Sequence, residues 1–211
     1  MQAQPLSRGS QPETVVIVDD DPLVRGSMES LFRSVGLAAR SHASAIDALQ
    51  APLPDGASCL VVDVRMPHLG GFELQQRLSE QGAQVPIVFV TGHGDIPMSV
   101  RAMKAGAIDF LPKPFRDQDM LDAVQTALAG DRARRAQRDI VRQVREQHAR
   151  LTPREREVMA GVVRGLLNKQ IAYELGLSEI TVKLHRSSMM KKLSLRTVPD
   201  LVRTAQIVAD C

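Results

Sequence analysis

The sequence predicts an α/β domain on a five-stranded, doubly wound parallel sheet, followed by a small all-α domain of helix-turn-helix type. Three observations predict it. Over the first 130 residues, short apolar, β-rich runs alternate five times with longer segments of helical period, the pattern of successive βα units. After Gly130 the composition changes abruptly: seven arginines fall within 130–150, with no proline and no further glycine. The charge divides at the same place, with 10 Lys and Arg against 15 Asp and Glu in 1–130, and 17 against 9 in 131–211. An acidic first part suits a cation site or solubility, and a basic last part suits a polyanionic partner. The 211 residues fit one large or two smaller domains, at about 150 residues per domain.

The strand runs are 14–18, a weaker 38–42, 59–62, 87–90 and 108–111. The first, third and fourth are almost continuously apolar, as expected when helices cover both faces of a sheet. The weak second run reads as an edge. Helical periods occupy 22–35, 44–50, 71–81, 96–105 and 117–129, and turn residues separate the elements at Gly36, Pro54-Asp55-Gly56, Gly70-Gly71, Gly82 and Gly106. Asp21 before Pro22 is an N-cap followed by a first-position proline. In 131–150, Ala133, Ala136, Ile140 and Val144 form a thin apolar stripe. It reads either as a linker continuing the preceding helix or as a dimer seam.

Thr152, Pro153 and Glu155 then announce a new helix through a capping box with proline at its first position. A second helix spans 168–175, the Gly176-Leu177-Ser178 turn ends it, and Ser178 caps a third helix over 179–193. A fourth spans 198–209. Two short helices around a glycine-containing turn, the second of them basic, match the helix-turn-helix pattern. The expected organisation is therefore 12–130, a charged helical linker 131–150, and 151–211.

Composition excludes several classes. Two cysteines, Cys59 and Cys211, make no disulfide framework and suit a reducing compartment. The polar start and the lack of a long apolar run predict neither a cleaved signal nor a membrane span. With 3% aromatics and no Trp, stacking platforms for single-stranded nucleic acid are absent, which favours duplex.

Asp19 and Asp20 end the first strand, Asp63 the third and Thr91 the fourth, and Lys113 lies just past the fifth between Pro112 and Pro114. Ligands of open α/β sheets bind outside the carboxyl ends of the strands, so these groups converge on one crevice. Three crowded carboxylates repel one another unless a cation shares them. An oxygen-only set suits Mg²⁺ and does not suit zinc. The five histidines show no ligand pairing.

Val18-Asp19-Asp20, Asp63-Val64-Arg65-Met66-Pro67, Val90-Thr91-Gly92-His93-Gly94-Asp95 and Lys113-Pro114-Phe115 resemble the receiver domain of two-component response regulators, a flavodoxin-like fold. Leu151-Thr152-Pro153-Arg154-Glu155-Arg156-Glu157-Val158 and Thr181-Val182-Lys183-Leu184-His185-Arg186 resemble the LuxR/NarL-type helix-turn-helix, and the combination is most similar to the FixJ subgroup. His68 departs from the family, which often has an acidic residue there.

The resemblance implies that Asp63 is the phosphoacceptor. Asp20, Asp63 and the Arg65 backbone carbonyl would hold Mg²⁺, with Asp19 acting through water. Thr91 and Lys113 would contact the arriving phosphoryl group, and Phe110 would be an aromatic switch coupled to Thr91. On the third basic-domain helix, Thr181, Lys183, Leu184, Arg186, Ser187, Lys191 and Lys192 are the DNA-binding candidates. The family places Lys183, Leu184 and Ser187 toward bases and Arg186, Lys191 and Lys169 nearer the backbone. Ile180, Val182, Met189 and Met190 are expected to pack inward.

The implied function is a cytoplasmic transcription factor that a sensor histidine kinase phosphorylates. Phosphorylation would favour a homodimer on double-stranded DNA, with RNA polymerase as a further candidate partner and no membrane. It would be a phosphoacceptor with slow autodephosphorylation, not a turnover enzyme. Two rivals differ in class. An aspartate-nucleophile phosphohydrolase usually needs a second carboxylate two residues after the nucleophile, where this chain has Arg65. A response regulator whose output binds protein or RNA would not bind duplex DNA.

Overall fold

The computed structural model describes residues 12–92 and 96–209, and the chain divides into two compact units, Met1–Arg135 and Ala136–Cys211. In the first, β1 (Thr14–Val18), β2 (Ala38–His42), β3 (Ser58–Asp63), β4 (Ile87–Thr91) and β5 (Asp109–Pro112) alternate with α1 (Pro22–Ser34), α2 (Ala45–Gln50), α3 (Gly71–Glu80), α4 (Ile96–Lys104) and α5 (Asp117–Ala149). The strands form one parallel sheet in the order β2-β1-β3-β4-β5. The weak second run is an edge, half-exposed where β1, β3 and β4 are wholly buried.

Side chains alternate across a strand, and here the alternation builds two cores. Val16, Val18, Leu60, Val62, Ile87 and Phe89 pack with Ala45, Leu74 and Ala102 on one face. Val15, Ile17, Cys59, Val61, Val88 and Val90 pack with Met28, Phe32, Met120 and Val124 on the other. The expected cap at Asp21 is present, its carboxylate accepting the Leu23 N–H at 2.8 Å. β5 starts one residue later than its apolar pattern and extends through Pro112, a shift that an edge strand tolerates.

α5 does not stop at Gly130 but runs unbroken to Ala149, so the charged segment expected over 131–150 continues the preceding helix and ends one residue earlier. A helical glycine costs about 1 kcal/mol relative to alanine, and the next turn offsets it. The buried Asp131 carboxylate accepts the Ser58 N–H at 2.9 Å and Arg135 Nε at 2.7 Å, and it also pairs with Arg134. Arg135 further donates to the carbonyls of Asp55 and Pro54 at 2.8 and 3.2 Å. The helix is thus fastened to the segment that leads into β3, well past its last apolar contacts.

In the second unit, α6 (Pro153–Val163), α7 (Asn168–Leu175), α8 (Glu179–Lys192) and α9 (Val198–Ala209) enclose a core that includes Val158, Ile171, Val182, Met189, Leu193 and Leu201. The capping box at Thr152 and Glu155 and the Ser178 cap are both formed. Gly176 ends α7 in the left-handed region at φ 64°, which glycine adopts without penalty. Among the described residues no helix is long and apolar enough to cross a membrane.

Candidate functional site

Parallel strands bring their carboxyl ends to one edge, and there the predicted residues meet. Asp19, Asp20 and Asp63 each present a carboxylate oxygen, all within 4.8 Å of one another. Lys113 Nζ lies between two of them, donating to Asp19 Oδ2 at 2.6 Å and Asp63 Oδ2 at 2.9 Å. The Lys113 N–H donates to the Thr91 carbonyl at 2.7 Å, so the end of β4 fixes the segment that carries the ammonium. Thr91 and Asp19 are fully buried, Asp63 is nearly so, and Asp20 is exposed.

Burial pushes the Asp19 carboxyl above its ordinary value, against the opposing pull of Lys113 and the Asp21 N–H. For Lys113, burial works against the charge, but its bonds to Asp19 and Asp63 prevail and its pKa is raised. The ammonium therefore stays charged. Three carboxylates crowd around one ammonium, an arrangement that a shared divalent cation would complete. The all-oxygen donor set fits Mg²⁺. Asp63 is oriented from the other side by the Arg65 N–H, which donates to Oδ1 at 3.1 Å. The Arg65 side chain is exposed, and Phe110 is half-buried against the core on the α2–α4 face. His93, Gly94 and Asp95 of the motif that begins at Val90 lie outside the described residues.

Gly71, a turn residue in the sequence at the start of the 71–81 helical period, also packs against the end of β3 that carries Asp63. A Cβ there would lie 2.5 Å from the Asp63 carbonyl oxygen, 3.0 Å from Val62 and 3.1 Å from Phe89. Backbone oxygen cannot swing aside, so α3 packs this close only with glycine. Gly71→Ala is expected to cost about 1–3 kcal/mol through overpacking and to displace the end of β3 that carries Asp63. Thermal denaturation checks the cost, and an unchanged midpoint would contradict it.

An apolar groove of about 830 Å³ runs beside Lys113, lined by Leu23, Val24, Met28 and Leu31 of α1 and by Phe115. On α4, Ile96, Val100 and Met103 form an exposed apolar line.

In the second unit, Ile180, Lys183, Leu184, Ser187 and Lys191 are exposed along α8, with the three- and four-residue spacing of one helix face. Val182 and Met189 are buried and Met190 packs partly against the core, as expected. Ile180 is the correction: it is 71% exposed beside Leu184 at 66%, because positions 180 and 184 share the face opposite Val182 and Met189. Thr181 shares a 2.9 Å hydroxyl hydrogen bond with the Ser178 cap, and Arg186 donates to Asn168 Oδ1 at 3.0 Å. Lys169 is exposed near the start of α7. Lys192 differs from its neighbours, since its ammonium is held 2.7 Å from the buried Glu155 carboxylate, where it serves the fold of the unit.

Comparison with known proteins agrees with this division. Residues 15–125 match the response regulator receiver domain family, and 149–205 match the bacterial regulatory proteins of the luxR family. The chain is 50% identical to nodulation protein W of Bradyrhizobium diazoefficiens, over 95% of this chain and 88% of that one. It is 44% identical to the transcriptional regulatory protein FixJ of Azorhizobium caulinodans, over 90% of each. The solved structure of response regulator StyR superposes with a TM-score of 0.86 at 46% identity, covering 92% of this chain and 98% of that one.

Proposed function

The chain belongs to the response regulators that join a receiver to a luxR-type DNA-binding unit, and from that premise we propose that Asp63 is its phosphoacceptor and α8 its reading helix. The observation that carries the first half is Lys113 seated between Asp19 and Asp63 within the three-carboxylate cluster. In the transfer, an Asp63 oxygen attacks phosphorus in line. The bond from phosphorus to the donor histidine nitrogen breaks, and that nitrogen keeps the electron pair. Lys113 offsets charge on the phosphoryl oxygens, where fixed cations lower the barrier most. Mg²⁺, held by Asp20, Asp63 and the Arg65 carbonyl with Asp19 behind, would add further charge neutralisation. Thr91 receives the phosphoryl oxygen and Phe110 responds to its movement. The apolar groove beside Lys113 is where a sensor histidine kinase docks. The protein is a cytoplasmic switch with slow self-dephosphorylation, not a turnover enzyme.

A phosphoryl group at the strand edge does not touch DNA, so it acts by biasing a conformational equilibrium. Moving a population from mostly off to mostly on takes about 5.5 kcal/mol. The exposed Ile96, Val100 and Met103 support a dimer through α4 and β5, which would set two α8 helices on successive half-sites. RNA polymerase is a further candidate partner of the DNA-bound dimer. Light scattering with a DNA titration, before and after treatment with a small acyl phosphate and MgCl₂, tests the scheme. The expected result is a rise in dimer together with tighter binding. A phosphoprotein that stays monomeric while binding more tightly would refute the dimer.

Base contacts specify and phosphate contacts supply salt-dependent affinity. On α8, Lys183, Leu184 and Ser187 face bases, Thr181 supports them, and Arg186 and Lys191, together with Lys169 of α7, serve the backbone. Lys183→Ala is expected to cost about 1–3 kcal/mol and to relax preference at one position of each half-site. Lys191→Ala should weaken all duplexes alike and reduce the salt slope by about one. Binding isotherms on specific and random duplexes at several salt concentrations separate these effects.

A further inference from the structure

We infer that Arg25 is a positioning residue of the acidic pocket: it braces the Asp19–Asp20 turn and so holds Asp20 ready for a divalent cation. The inference rests on the pocket as read above and assigns it a part outside its carboxylates and Lys113. Arg25 Nη1 donates to the Asp19 main-chain carbonyl at 2.6 Å, a short, charge-assisted bond. The base of this side chain is fixed on α1, where the Arg25 N–H donates to the Asp21 carbonyl at 3.1 Å and the Asp21 carboxylate caps the helix. Its tip is fixed on the last residue before the turn. The side chain therefore spans the segment that carries Asp19, Asp20 and Asp21.

The three pocket carboxylates are not held alike. Asp19 accepts the Asp21 N–H at 2.9 Å and Lys113 at 2.6 Å, while its own N–H donates to the His42 carbonyl at 3.2 Å. Asp63 accepts the Arg65 N–H and Lys113. Asp20 is exposed, and among the described residues its carboxylate has no hydrogen-bond or ion-pair partner. Its direction is left to its backbone. The Asp19 carbonyl belongs to the same peptide plane as the Asp20 nitrogen, so fixing that oxygen fixes where the Asp20 Cα–Cβ bond begins. Arg25 does for Asp20 through the backbone what Lys113 does directly for Asp19 and Asp63.

Charge and geometry predict opposite signs. A guanidinium near a divalent cation repels it, so if charge were the contribution of Arg25, removing it would tighten binding. If it is a brace, removal weakens binding, and groups that orient metal ligands typically contribute about 10-fold or more in affinity.

Calorimetric titration of the unphosphorylated full-length protein with MgCl₂ reads this without reference to phosphorylation. Arg25→Met is expected to bind Mg²⁺ about 10-fold more weakly, and Arg25→Lys, which keeps one donor, should fall between it and the wild type. In a double-mutant cycle, Arg25→Met should add no further loss to Asp20→Asn, because both act on one ligand. If Arg25→Met fails to fold by circular dichroism, Arg25→Lys carries the same cycle. Unchanged or tighter binding in the Arg25 variant, or losses that add to those of Asp20→Asn, would overturn the brace. If Asp20→Asn and Asp63→Asn themselves leave Mg²⁺ binding intact, the pocket reading fails, and the brace with it.

Discussion

Asp63→Asn is expected to gain no mass when incubated with a small acyl phosphate and MgCl₂, whereas the wild-type chain gains one phosphoryl group. The amide is nearly isosteric with the carboxylate but lacks the anionic oxygen that attacks phosphorus. Because Asp63 is 8% exposed and held by the Arg65 N–H as well as Lys113, the variant should fold with its β3 end in place. Loss of reaction then reports chemistry, and circular dichroism confirms the fold. Three consequences should go together: no mass shift, no phosphorylation-dependent rise in dimer, and DNA affinity fixed at the unphosphorylated level. Chelation of Mg²⁺ should stop the wild-type reaction in the same assay. An undiminished mass shift in Asp63→Asn would move the phosphoacceptor elsewhere. Steady phosphate release from many small esters would instead revive the phosphohydrolase reading that Arg65 argues against.

The parts of this site that were legible in sequence are those fixed by local rules. A carboxylate at the end of an apolar run, a proline after Asp21, and a Thr-x-x-Glu box before a helical period each carry their geometry within four residues. The structure places them accordingly. What was not legible depends on residues far apart or on atoms without side chains. The Asp131 carboxylate meets the Ser58 N–H across 73 positions, and no periodicity marks that encounter. Lys192 sits in a basic run, and nothing in that run signals that α6 brings Glu155 against its ammonium. Gly71 looks like a turn glycine, and only packing shows that the Asp63 carbonyl occupies the space a side chain would need. Hydrophobicity alone places Ile180 inward, although its helical phase relative to Val182 and Met189 puts it outside. Phase was the better guide there.

Glu155 supplies the second large effect, because a nearly buried carboxylate is the junction of two helices in the DNA-binding unit. It accepts the Thr152 N–H at 2.8 Å, Ser188 Oγ at 2.7 Å and Lys192 Nζ at 2.7 Å, joining the start of α6 to the end of α8. Burial alone would raise its pKa, but the bonds from Lys192, Ser188 and Thr152 outweigh burial and carry it from 4.5 down to about 2. A depressed folded-state value means that ionised Glu155 stabilises the unit fully above the unfolded value of 4.5, and that this contribution is lost as pH falls from there toward about 2. By linkage such a shift is worth about 3 kcal/mol. Glu155→Gln keeps an acceptor for the cap and removes the charge, so it should be less stable than the wild type at pH 7 and approach it near pH 2. Glu155→Ala also loses the capping box and leaves Lys192 without its partner, at a cost of about 2–4 kcal/mol. Urea denaturation of the full-length chain, with deuterium protection of 153–163 reporting this unit, compares the three proteins at pH 7 and pH 3. Since α8 carries the exposed Lys183 and Lys191, loss of this junction should also weaken binding to every duplex without changing sequence preference. A Glu155→Gln protein whose stability deficit stays the same across the acid range would show that the carboxylate charge does not hold the two helices together.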